Sequence, residues 1–261
     1  MISRLLPIAA LLLFICQEIA AKVLINNGLT HIHSGKQGQV IKGMIQVKNA
    51  GAQPEKILIY QNGLVQTCDE KSEFVPVDRQ VRGMGKWLET NTVEKLIQPD
   101  ETFEIFYTIS IPRDSSLSGS YWSVVMVEVA EPVTIEATNK FSIGSKIRYA
   151  IQIITDVGEM EFPKLDFEKV AFKPVQAANK VIQAKLKNIG KFMVVPKLLL
   201  EVYGKDGQKI ITLESVSQKI YPFTCKDFEI EIKGLTSGKY DAILVADYGQ
   251  DLFATNMVID I

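Results

Sequence analysis

The chain is poor in the residues from which small-molecule chemistry is usually built. Among 261 residues there are two histidines, three cysteines and two tryptophans. A Ser-His-Asp arrangement would have to use His31 or His33, and the adjoining segment offers neither a partner acid. Gly-x-Gly-x-x-Gly, phosphate-loop and Cys-x-x-Cys motifs are all missing. Charge of one sign is missing as well, since 29 Lys and Arg face 30 Asp and Glu for a formal net charge of −1. That balance gives no global attraction to nucleic acid or to an anionic membrane. Beyond Ala21 no long segment repeats apolar residues at helical spacing, which argues against amphipathic helices. The expectation is a protein without cofactor, metal or catalytic machinery.

Long apolar runs are confined to the start. "MISRLLPIAALLLFICQEIAAK" sets Arg4 ahead of an apolar run from Leu5 to Cys16 and closes on Ala20-Ala21. This is the layout of a secretory signal over 1–21, cleaved before Lys22. The run is shorter than the ~20 apolar residues of a comfortable span, although a retained anchor is the rival reading. Lipid attachment at Cys16 is disfavoured by the bulky Ile15 before it. No later stretch is long and apolar enough to span, so the mature chain is expected to be soluble and periplasmic or extracellular. Cys68 and Cys225 then remain, far apart and without a local framework. An oxidising compartment permits a bridge, but two separate thiols are the expectation.

What the chain has in quantity is alternation. "GQVIKGMIQVKN" sets Ile41, Gly43, Ile45 and Val47 against Val40, Lys42, Met44 and Gln46. "ETFEIFYTISIP" puts Phe103, Ile105, Tyr107, Ile109 and Ile111 on one face, and "TCKDFEIEI" does likewise with Phe228, Ile230 and Ile232. Strands with one dry and one wet face belong to antiparallel sheets that pack in sandwiches.

Landmarks in this pattern recur in order. Val47-Lys48-Asn49-Ala50-Gly51 matches Leu186-Lys187-Asn188-Ile189-Gly190. Phe103-Glu104-Ile105, after Pro99, matches Phe228-Glu229-Ile230, after Pro222. Ser118-Gly119-Ser120-Tyr121 matches Ser237-Gly238-Lys239-Tyr240, each opening an apolar strand. The reading is an all-β chain of two β-sandwich copies, at 22–156 and 164–261, with the first enlarged by an insertion at 63–92. A short linker at 157–163, holding Gly158 and Pro163, should restrict the angle between the copies and leave a cleft. "KDGQ" at 205–208 reads as a hairpin turn.

Three places invite a functional reading. His31 and His33 project to one face of a strand, a spacing that can serve a metal, but no third ligand is visible nearby. "SIGSKIRYAIQIITDV" should be the last strand of the first copy. Lys146 and Arg148 share one face of it; Ile147, Tyr149, Ile151 and Ile153 share the other. At a sheet edge such a strand can accept another chain by strand addition, its cations holding a partner carboxylate. The same charges also serve simply to blunt an edge against aggregation. Third, the insertion carries the Gly83-Met84-Gly85 triplet, expected to be flexible, and Trp87, which either meets a partner or packs on its own domain.

The "VKNAG" strand end, "FEIFYTISIP" after Pro99, "GSYWSVVMVEV" and the basic-then-apolar stretch Lys146 to Ile153 together resemble the periplasmic chaperones of pilus assembly. The chain is also similar to two-domain cell-surface proteins that partner WxL-type wall proteins, in "GQVIKGMIQVKNAGAQPEKILIY" and "LTSGKYDAILVADYG". These resemblances imply immunoglobulin-like sandwiches and a non-enzymatic partner-binding role. By the chaperone resemblance, Ile147, Tyr149, Ile151 and Ile153 would be the row of a donor strand, lent to a co-exported pilus or surface subunit. Lys146 or Arg148 would anchor the subunit's C-terminus, and Lys22 and Lys36 are the available candidates for a second cation. A surface adhesion or polymer-binding module using Trp87 is the competing expectation.

Overall fold

The computed structural model describes residues 23–68, 72–130, 133–136, 142–174, 180–249 and 251–261. The leader expected at 1–21 lies outside them, as does Lys22. Among the described residues no helix is long and apolar enough to cross a membrane.

Alternation becomes strand wherever one face can be buried. The first copy contributes β1 (Val23–Ile25), β2 (Thr30–Gly35), β3 (Val40–Asn49), β4 (Glu55–Gln66) and β5 (Ser72–Val75). It continues with β6 (Leu88–Thr90), β7 (Glu94–Ile97), β8 (Thr102–Ser110) and β9 (Gly119–Val129). A ribbon of β10 (Val133–Glu136) and β11 (Ser142–Ser145) then leads into β12 (Arg148–Val157). The second copy holds β13 (Leu165–Pro174), β14 (Lys180–Asn188), β15 (Lys197–Tyr203) and β16 (Lys209–Glu214). It closes with β17 (Cys225–Ile232), β18 (Lys239–Tyr248) and β19 (Asp251–Asp260).

Each copy is an immunoglobulin-like β-sandwich. In the first, the sheet β1-β3-β8-β6 faces the sheet β2-β12-β9-β4-β5, with β7 also on β4. In the second, β13-β14-β17 faces β16-β15-β18-β19. Each closes its own apolar interior. Ile45, Ile105, Val125 and Ile151 belong to one, and Ile182, Leu200, Phe228 and Leu244 to the other.

The landmark repeat has an atomic basis. Asn49 is fully buried and donates from Nδ2 to the carbonyls of Gln53 and Ile97, while its Oδ1 accepts the Gly51 N–H. Asn188, equally buried, donates to Phe192 and Ile220 and accepts from Gly190 N–H. Their backbone carbonyls accept from Asp100 and Phe223, each directly after a proline and each in the left-handed region, at φ 60° and 62°. Lys-Asn-x-Gly and the later proline are therefore two ends of one device. A side chain with both donor and acceptor ties a strand exit to the entry of the strand paired with it. The "KDGQ" segment is the β15–β16 turn, with Gly204 N–H donating to the Gln208 carbonyl.

Two expectations are corrected. Cys68 and Cys225 are bridged, with Cα atoms 4.6 Å apart. Twelve-residue β4 runs on past the sandwich and carries Cys68 to the start of β17, a meeting that sequence separation conceals. The cleft expected between the copies is, among the described residues, packed along β9. Strand β9 is apolar on both faces, and its outer face, Trp122, Val124 and Met126, packs with Leu64 and Ile154 against Met193 and Tyr221 of the second copy. The Trp122 and Tyr221 rings stack with centroids 4.3 Å apart.

Candidate functional site

Strand β12 is held differently along its two halves. It pairs antiparallel with β9 from Arg148 to Val157, and parallel with β2 only from Gln152 to Val157. The expectation of an edge left free is thus corrected for the second half: Ile153 is paired on both sides. Gln152 N–H donates toward β2, to the Leu29 carbonyl. Since a strand presents its backbone groups to alternate sides with period two, Arg148 and Ala150 direct their N–H and C=O groups the same way, beyond the start of β2. No described strand pairs with that side of Arg148–Ile151.

The apolar row does not face outward. Ile151 and Ile153 are fully buried in the first core, and Ile147 and Tyr149 pack against it half-buried. The Tyr149 hydroxyl donates to the Val23 carbonyl of the opposite sheet, closing the seam between the sheets beside the unpaired half of β12. This row fills the chain's own sandwich because its partner sheet supplies the apolar surface that the sequence left unassigned.

The two cations are already engaged. Lys146 Nζ lies 2.9 Å from Glu128 Oε1, and Arg148 Nε lies 3.6 Å from Glu128 Oε2. Tyr60 donates to the same carboxylate at 2.8 Å. The Lys146 ammonium and the Tyr60 hydroxyl hold the Glu128 carboxyl below its usual range. Lys146 and Arg148 sit at the end of β12 remote from the second copy, with roughly half of each side chain exposed. Lys36 follows β2 and is exposed.

Trp87 packs half-buried on its own core, its ring centroid 4.8 Å from that of Tyr121. The insertion around it is built in. Met84 is fully buried, so the Gly83-Met84-Gly85 triplet is a fixed turn where a loose one was expected. Gly85 has no room for a Cβ, which would sit 2.6 Å from Val77 Cβ.

Sequence reasoning missed the junction. After β4 leaves β9, the vacated edge is taken first by Arg82, whose carbonyl accepts Trp122 N–H, and then by Lys191 of the second copy, whose carbonyl accepts Ser120 N–H. Arg82 donates to the carbonyls of Ser118 and Ser120, with its guanidinium over the Tyr121 ring. Ser120 Oγ donates to Asp156 and accepts Met193 N–H. Burial pushes the Asp156 carboxyl up, partly offset by that serine. At the outer margin, Lys219 Nζ reaches Thr30 Oγ1 at 2.9 Å and Gln152 Oε1 at 2.5 Å, and Tyr221 donates to the same amide oxygen. Burial brings Lys219 down to about 8. One signal was present: "YWSVVMVEV" is apolar at successive positions, the mark of a strand covered on both faces.

No family model and no curated protein matches the chain. Solved structures do. The chain is similar to the class 5 fimbriae chaperone CfaA at 14% identity, covering 90% of this chain and 98% of that one, with a TM-score of 0.47. A chain from the CsuC–CsuE chaperone–tip subunit pre-assembly complex of Acinetobacter baumannii is 14% identical over 90% and 98%, with a TM-score of 0.45. The E. coli chaperone DraB is 12% identical over the same shares, with a TM-score of 0.43.

Proposed function

We propose that this chain is an exported, non-enzymatic protein-binding protein, a periplasmic chaperone or scaffold that captures an extended segment of a co-exported pilus or surface subunit along the first half of β12. The observation that supports this reading is that β2 stops short of Arg148–Ile151 and leaves backbone donors and acceptors on one side of the strand. An added segment would continue the line of β2, gaining affinity from main-chain hydrogen bonds. Its alternate side chains would enter the seam beside Ile147 and Tyr149. Lys146 and Arg148 would have to exchange Glu128 for a partner carboxylate if they act as its anchor.

The test removes one backbone donor from the open side. Ala150→Pro deletes an N–H on the open side, a substitution that edge positions tolerate. Co-exported proteins captured by the wild-type chain should be lost, with the melting temperature close to wild type. Ala254→Pro on the exposed edge strand β19 and Trp87→Ala should both retain capture. Capture that survives Ala150→Pro, or that is lost only with Trp87→Ala, overturns the reading, and the latter favours the adhesion module.

A further inference from the structure

The second half of β12 is covered by a strand that is attached in an unusual way. The outward residues of β2 include Ile32, which is 52% exposed. Its inward residues are His31, His33 and Gly35, where a sandwich strand ordinarily places apolar bulk. Both imidazoles meet one group: His31 Nδ1 and His33 Nε2 lie 2.9 and 2.8 Å from the hydroxyl of Tyr107, which reaches across from β8. Tyr107 is 2% exposed, and its ring passes over Gly43, where a Cβ would sit 2.2 Å from Cζ. Chain turns with positive φ stand on either side of β2, at Gly28 (87°) and Gly38 (81°). Apart from its six-residue ladder and the Lys219–Thr30 hydrogen bond on its outer face, β2 is therefore fastened by a histidine–tyrosine–histidine bridge to the interior.

We propose that β2 is an acid-released latch: protonation of His31 and His33 undocks it and extends the open edge of β12 from Arg148 to Asp156 for an extended segment with alternating apolar side chains. This rests on the edge-capture reading above and adds its regulation.

The bridge needs neutral rings. One hydroxyl proton serves one imidazole as acceptor, and the other imidazole must donate its N–H to the phenol oxygen. With both rings protonated the hydroxyl loses its acceptor, and two like charges stand together half-buried against an apolar face. The surroundings offer no relief. Beside the histidines, β12 presents Ile153, Thr155 and Val157, and Thr155 Oγ1 and His31 Nε2 are buried without partners. From β3 come Ile41, Gly43 and Ile45, and from β8 Ile105, Tyr107 and Ile109. Tyr107 is the titratable group among these, pushed up to about 12 by burial. Lys42, Lys48 and Glu104 alternate to the other face of their sheet. Asp156 and Lys219 lie on the outer face of the β2–β12 pair, against Ser120 and Thr30 respectively. No carboxylate faces the rings among the described residues.

The sign is worked from His33. Burial, and then repulsion from His31, hold it below its ordinary 6.5. A base whose docked pKa is depressed binds fewer protons docked than free. Docking is therefore fully favoured above about 6.5, the free value, and weakens as pH falls below it. Once β2 leaves, Gln152, Ile154 and Asp156 add their backbone groups to those of Arg148 and Ala150, and the space left by the imidazoles suits apolar side chains at every second position.

Amide hydrogen exchange on the full chain, corrected for intrinsic rates, reads the latch directly at about pH 7.5 and about pH 5.5. Protection over residues 29–36 should fall by up to about tenfold at the lower pH, while protection in β3 and β17 holds. The double variant His31→Leu/His33→Leu should lose the pH response, with protection over 29–36 equal at both values. Tyr107→Phe should weaken protection already at the higher pH. Binding of a synthetic peptide alternating Val and Thr is measured in parallel, and should tighten as protection is lost. Unchanged protection at 29–36, or a pH response that persists in the double-leucine variant, overturns the latch. A protection change without peptide binding at either pH leaves the latch standing and removes the capture reading. Peptide binding that is equal at both pH values, with constant protection, does the reverse.

Discussion

The two sandwiches share an asparagine-centred turn but finish their first strands differently. In the second copy β13 stays in one sheet for ten residues, paired with β14. In the first copy that strand is broken. β1 pairs with β3 for three residues, the chain turns at Gly28, and β2 crosses to the opposite sheet to lie parallel with β12. The last strands differ accordingly, since among the described residues β19 pairs with β18 on one side, whereas β12 is covered along about half its length. A repeated scaffold thus leaves its edges to be managed copy by copy, and edge treatment is where the two copies can acquire different tasks.

The largest expected effect tests the shared device. Asn49→Ala and Asn188→Ala each leave buried carbonyls and an N–H without partners, at a cost of about 3 kcal/mol apiece by chemical denaturation. Asn188→Ala should additionally loosen the junction, because its turn leads into Lys191 and Met193, which bond Ser120. Equal exchange at Ser120 in both variants would break that distinction. Next comes the bridge between the copies. Cys225→Ser should cost about 2–4 kcal/mol and resolve one calorimetric transition into two, one per sandwich. A single unshifted transition would show that the apolar interface alone couples them.

Smaller effects follow from paired positions that diverge. Gly119 and Gly238 match in the repeat, yet a Cβ on Gly119 would lie 2.3 Å from the Lys191 carbonyl oxygen, whereas Gly238 has nothing nearer than 3.6 Å. Both substitutions carry the strain of a positive φ, at 99° and 157°, so Gly119→Ala should cost about 2 kcal/mol beyond Gly238→Ala. Similar losses would mean that the contact between copies is unimportant to the first. The smallest effect is in pH. Lys219, held at about 8, binds fewer protons folded than unfolded up to its ordinary 10.5, so stability should rise with pH across that window. Lys219→Met should flatten this rise in thermal melts, and an undiminished slope would place the effect elsewhere.

Alternation along β3, β8 and β17 identified the inward residues, because a half-buried strand writes its orientation into every second position. The repeat was equally legible, since Asn49 and Asn188 act through local turns and one later proline. The candidate site was read less well. Ile147, Tyr149, Ile151 and Ile153 were placed on one face, but a run of residues does not say whether that face meets its own sheet or a partner's. Cys68 and Cys225 were missed as a pair because their meeting depends on how far β4 overshoots its sandwich. His31 and His33 stood out by spacing, while Tyr107 lay in another strand.

By itself the amino-acid order determined an all-β chain in two copies, which strand faces are dry, and where an asparagine, a glycine and a proline turn the backbone. These are matters of local sterics and short-range hydrogen bonding. Only the tertiary structure decided that the copies are welded through Trp122, Ser120 and the Cys68–Cys225 bridge, and that β2 covers half of β12 through two histidines and one tyrosine. Those contacts join residues distant in the chain, and their partners are chosen by packing geometry that no local pattern encodes.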